Sequence, residues 1–153
     1  MNTLFTENQR FNQWWLWLLI VVITIIPVID FFKKFTNNTV SKETIFGVII
    51  LLLSILFLVI IKLKTTITPK TIQVTFFPLI NKNIEINTIK SMNVINYGFV
   101  GGWGIRLFTK YGIVYNIKGK MGLHIQLKNG KQLIIGTQKP TELSKIISQI
   151  NLQ

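Results

Sequence analysis

The sequence predicts a two-helix membrane hairpin followed by a β-rich α+β domain that closes with one amphipathic helix. Two long uncharged apolar runs lie before Leu63. From Thr65 onward, short stretches of alternating apolar and polar residues are separated by turn residues. After Pro140 the apolar residues recur at helical spacing. The boundaries that follow are 1–64 for the hairpin, with spans at about 12–32 and 44–63, and 65–153 for the domain, with its helix at 140–151.

The first run, Trp14 to Ile29, contains no charge, and with Phe11 before it and Phe31–Phe32 after it reaches the ~20 residues that cross ~30 Å of hydrocarbon. Trp14, Trp15 and Trp17 gather at one end, where indole rings favour the headgroup level, and Asp30, Lys33 and Lys34 mark the other. Pro27 is expected in the last turn. A cleaved signal peptide is disfavoured, because the n-region has one Arg and a chain without alanine holds no A-x-A site. The second run, Ile45 to Ile61, is bounded by Lys42–Glu43 and by Lys62 and Lys64. The short link from Asp30 to Thr44 makes the two runs an antiparallel hairpin. Its flanking charges favour both termini in the cytoplasm, on the side of the more basic domain.

In the domain, Thr65 to Thr68 and then Thr71 to Phe77 read as two strands around the turn Pro69–Lys70. Ile84 to Ile95 keeps no single register, which predicts a helical turn or bulge around Thr88 to Ser91. Ile105 to Thr109 and Ile113 to Ile117 have hairpin spacing across Lys110–Tyr111–Gly112. Gly122 to Lys128 places Leu123, Ile125 and Leu127 on one face, and Asn129–Gly130 predicts a type I′ turn into Lys131 to Ile135. Pro140 fits a first helical position, and Leu143, Ile146, Ile147 and Ile150 form one apolar stripe expected to cover the open end or face of the preceding sheet.

Gly101 to Arg106 (GGWGIR) and Val114 to Pro140 (VYNIKGKMGLHIQLKNGKQLIIGTQKP), behind a membrane hairpin, resemble bacterial pleckstrin-homology-like (PH-like) domain proteins over most of the chain, Trp14 to Ile150. The resemblance implies a seven-stranded antiparallel sheet or barrel capped by one C-terminal helix, in a multi-pass protein of the cell membrane. It implies no reaction.

Composition narrows the chemistry. The absence of cysteine removes disulfides, thiolate metal sites and cysteine nucleophiles. The five acids, Glu7, Asp30, Glu43, Glu85 and Glu142, are dispersed, and His124 is the one histidine, so neither a metal cluster nor a carboxylate pair is expected. No catalytic residue and no cofactor is predicted. From Lys70 to Lys145 eleven Lys or Arg face Glu85 and Glu142, leaving the domain at +9.

A cationic domain at a membrane is drawn to anionic headgroups. Arg106, with its phosphate-matching guanidinium, is the first candidate for an anion or partner contact, with Trp103 beside it and Lys118 and Lys120 around Gly119. Gly101, Gly102 and Gly104 are read as a tight bend under Trp103, since no helix or G-K-[ST] follows as a nucleotide loop requires. Phe76, Phe77, Phe99, Trp103, Phe108, Tyr111 and Tyr115 are expected mainly in the core; nucleic-acid binding would rest on charge alone. The expected function is a non-enzymatic membrane-anchored module that binds a protein partner or the anionic leaflet. The alternative is a structural accessory subunit of a larger membrane complex, held through its hairpin.

Overall fold

A computed structural model describes residues 2–151, without the side chain of Asn151. The chain divides into two compact units: residues 1–10 with 62–153, and the intervening Phe11–Ile61. The predicted boundary at residue 64 is therefore corrected. The β unit begins upstream of the helices, and the hairpin is inserted into it.

The helical unit consists of α1 (Trp14–Thr36) and α2 (Lys42–Ile60), both long and apolar enough to cross a membrane and neither burying a residue in this chain. Helix α1 runs further than the uncharged run, through Asp30, Lys33 and Lys34. Asp30 and Lys34 pair at 2.7 Å one turn apart, which lets the polar end stay helical. Pro27 consequently lies inside the helix and not in its last turn. Ser41 caps α2 by accepting the Thr44 amide at 3.3 Å, and Glu43 sits in the first turn where the helix dipole favours an anion.

Among the described residues the β unit has nine strands in two sheets, so a single seven-stranded sheet is not what forms. Strands β1 (Phe5–Arg10), β2 (Lys62–Ile67), β3 (Thr71–Phe77) and β4 (Ile80–Glu85) make an antiparallel four-stranded sheet in that order. A single 3₁₀ turn, Ile86–Thr88, leads to β5 (Ile89–Asn96), whose register shifts between Ile89 and Ser91, where the sequence predicted an irregularity. The second sheet adds β6 (Gly104–Thr109), β7 (Gly112–Asn116), β8 (Met121–Leu127) and β9 (Gln132–Gly136) in the order β5-β8-β9-β7-β6. Its β7–β9 pair is parallel, so this sheet is mixed. Helix α3 (Pro140–Asn151) packs on β5 and β8 through buried Leu143, Ile147 and Ile150.

The β8–β9 turn differs from the expected type I′. Only Gly130 has a positive φ, +81°, while its amide bonds the Leu127 carbonyl at 3.0 Å and the Leu127 amide bonds the Lys131 carbonyl at 2.8 Å. That is a tight turn followed by a glycine bulge, which gives the strands their twist with one left-handed residue instead of two.

Alternation explains the main core. Leu63 and Ile67, Ile72 with Val74 and Phe76, and Ile84 are buried on the first sheet, and Leu123, Ile125, Leu133 and Ile135 on the second. Strand β1 breaks the apolar rule, because its inward positions are Phe5, Glu7 and Gln9. The Glu7 carboxylate accepts the Thr137 hydroxyl at 2.6 Å and the Gln138 amide at 2.7 Å, and Gln9 donates from Nε2 to the Gly136 carbonyl at 2.7 Å. These bonds tie the first strand to the end of the last one and to the residues that follow it.

Candidate functional site

The residues singled out for binding lie at the β6 end of the mixed sheet, and the chemistry beneath them explains how they are held. Tyr97, Val114 and Ile134 form a buried cluster on the face of this sheet opposite to Tyr115 and Ile135, with Ile95, Val100 and Tyr111 packed against it. Gly122 makes room for it. A Cβ at Gly122 would lie 2.7 Å from Ile134 Cγ2 and 3.0 Å from Tyr97 Cε1, so the phenol packs where a side chain would otherwise stand.

From that seat the Tyr97 hydroxyl donates to the Gly119 carbonyl at 3.2 Å and accepts from Asn116 Nδ2 at 3.2 Å. Asn116 Nδ2 also reaches the Gly102 carbonyl at 3.4 Å. One buried Tyr–Asn pair thus holds both the glycine-rich loop ahead of β6 and the basic turn after β7. Burial pushes the Tyr97 phenol pKa up, the Asn116 bond pulling the other way, and burial alone pushes Tyr115 up.

Arg106 in β6 lies against Gly102, whose φ of +122° favours glycine and whose missing Cβ leaves the guanidinium room in its present position. Its Nε is enclosed without a hydrogen-bond partner. Among the described residues the ion pairs are Asp30–Lys34 and Lys139–Glu142, so no carboxylate neutralises Arg106. Lys118 and Lys120 flank Gly119 on an exposed turn, which Gln138 Nε2 fixes by donating to the Lys118 carbonyl at 2.6 Å. The Tyr97–Asn116 pair joins the backbones of these two loops, so the four predicted contact residues belong to one end of the unit.

The aromatic residues split in a way that the sequence did not indicate. Phe76 and Tyr115 are core, as expected, and Tyr111 is half-buried edge-on to His124 at 5.5 Å between ring centres. Phe99 is 79% exposed and Phe108 99%, with Trp103 and Phe77 also exposed, which corrects the assignment of these four to the core; Leu107 beside Phe108 is exposed too. Phe108 also has φ +58°, a left-handed conformation that a phenylalanine rarely adopts, at the register shift between Arg106 and Thr109. The bulge turns Leu107 and Phe108 outward together.

His124 is half-buried, its Nε2 3.0 Å from Gln132 Oε1, with no acid or nucleophile joined to it. No group of three or more His, Cys, Asp or Glu able to hold a metal occurs among the described residues. Comparison of the chain with protein-family models, with curated proteins and with solved structures found no match.

Proposed function

We propose that the chain is a non-enzymatic, membrane-anchored module of PH-like kind whose β6 end docks a protein partner. The observation that carries this is the open edge of the mixed sheet. Among the described residues strand β6 pairs with β7 alone, and on it Leu107 and Phe108 are exposed next in sequence to the unneutralised Arg106, with Phe99 exposed in the loop that leads into the strand. An unpaired edge accepts an added strand through its backbone groups, and exposed apolar side chains supply the anchors. The surplus of positive charge favours an acidic or apolar segment in that place.

Two sheets followed by a C-terminal helix support the PH-like reading, although nine strands and a parallel pair exceed the seven antiparallel strands it implies. The membrane reading is supported by two apolar helices that bury nothing in this chain. Arg10 and Lys62 are register partners in the β1–β2 pair, so the chain leaves the β unit and re-enters it at neighbouring points. Two spans between such points return to the side from which they started. We infer that the β unit and both termini share the cytoplasmic side, following the excess of Lys and Arg.

The test is to extract the full-length chain in mild detergent after brief crosslinking and to identify stoichiometric companions by mass spectrometry. A companion is expected that is lost in Phe108→Ser and Arg106→Glu variants that still fold. A chain that purifies alone, or a companion indifferent to both variants, would remove the docking role from this edge.

A further inference from the structure

The first sheet carries a second surface, at the end where the helices join, and it bears on the membrane itself. Strand register sets Arg10 beside Lys62 and Lys62 beside Phe77, and one step further along places Asn8, Lys64 and Thr75 in a row. The inward residues of β1, β2 and β3 are Gln9, Leu63 and Phe76, so Arg10, Lys62, Lys64 and Phe77 all face outward. Lys62 Nζ sits 5.2 Å from the Phe77 ring centre. The tight turn into β4 then exposes Leu79, so Phe77 at 43% and Leu79 at 55% exposure edge a patch of three cations. Of the acids on neighbouring strands, Glu7 points inward and Glu85 pairs with Thr71 at the far end of β4. Among the described residues no ion pair neutralises the patch.

Covalent reach fixes where this patch must be. Arg10 is four residues from Trp14, a span of no more than ~14 Å, and Lys62 is two residues from Ile60, no more than ~7 Å. The headgroup layer is itself ~5–8 Å thick on each side of the hydrocarbon. If α1 and α2 cross a bilayer, Lys62 therefore lies within or beside the phosphate layer whatever the orientation of the β unit.

We propose that Arg10, Lys62 and Lys64 bind the phosphates of anionic lipids in that bilayer while Phe77 and Leu79 enter the acyl boundary. This rests on the membrane reading above and adds a site to it. The aromatic and aliphatic tip supplies interfacial burial, and the lysine stems can lie along it with their ammonium groups at phosphate level. The surface would fix one tilt of the β unit against the membrane and so determine how far into the cytoplasm the β6 edge is held.

The absence of cysteine makes the test direct. A nitroxide attached to Leu79→Cys in the full-length chain reports its depth through relative collision with oxygen and with a water-soluble nickel chelate. The same label on Asn129→Cys, in the exposed β8–β9 turn, is the aqueous control. In bilayers of phosphatidylcholine mixed with phosphatidylglycerol, the oxygen-to-nickel ratio at position 79 is expected to exceed that at 129 several-fold. It should fall toward the control in phosphatidylcholine alone and in an Arg10→Gln, Lys62→Gln, Lys64→Gln background. Lys64→Gln alone, at an exposed position, serves if the triple variant does not fold. Equal ratios at 79 and 129 in a chain that floats with the bilayer would overturn this site and leave the anchored module standing. Depth at 79 indifferent to phosphatidylglycerol and to the substitutions would equally overturn it. A chain that does not float at all would overturn the membrane reading.

Discussion

Tyr97 shows how much of this molecule depends on single contacts that no sequence period reveals. It lies just beyond β5, outside any strand or helix the sequence predicts, yet its ring fills the space above Gly122 and its hydroxyl holds two loops. Gly122→Ala should overpack this seat and cost ~1–3 kcal/mol, read as a lowered denaturation midpoint of the detergent-solubilised chain. Burial raises the Tyr97 phenol pKa above its unfolded value, so the folded state holds that proton more tightly. The associated stability is present below the unfolded value near ~10 and is lost as pH rises through the folded one. Melting temperature should therefore fall on the alkaline side of ~10, and Tyr97→Phe should flatten that limb while lowering stability at neutral pH by ~1 kcal/mol. Tyr115, raised for the same reason, retains part of the dependence. The exposure of Phe99 and Phe108 was equally illegible: composition reads aromatics as core, and for Phe108 a backbone bulge decides which way it turns.

At the scale of elements, what the sequence carried was alternation and spacing. Strand β3, the irregularity before β5, the β6–β7 and β8–β9 hairpins and helix α3 all appear where short-range pattern places them. Strand β1 does not announce itself, because Phe5, Glu7 and Gln9 look like a polar leader to any hydropathy argument. Its polar side chains are buried only because partners more than a hundred residues away accept or donate to them. Glu7→Ala would leave the Thr137 hydroxyl and the Gln138 amide without their acceptor at a cost of roughly 2–4 kcal/mol, and Glu7→Gln, which keeps one carbonyl, should cost less. Thermal unfolding of the two variants side by side checks the order. For the same reason a fragment cut at residue 65 lacks β1 and half of β2, and is expected to be unstable compared with one that keeps them.

For the whole molecule the arrangement is an insertion, and it can be undone. Because Arg10 and Lys62 are paired across β1 and β2, a two-residue Asn-Gly turn should replace residues 11–61 without disturbing either strand. The product is expected to be a water-soluble β unit that melts cooperatively and shows strand and helix signals by circular dichroism. An aggregated or unfolded product would mean that the inserted helices are needed for the β unit to hold together.

The bond between Glu7 and Thr137 spans 130 positions of the chain, and its consequence is one of timing. During synthesis the first strand emerges ahead of both apolar helices and finds no partner until Lys62 to Ile67 have followed them, and its last hydrogen bonds wait for the residues after β9. A ribosome-bound chain stalled before Lys62 would therefore expose an unpaired, protease-sensitive β1; one stalled before Gly136 would have β1 paired with β2 but without its bonds to Gly136, Thr137 and Gln138, and release of the full length would complete its protection. Completion of the β unit in this way waits on synthesis of both helices, with the bonds of the N-terminal strand to the end of β9 and the residues beyond it as the final closure.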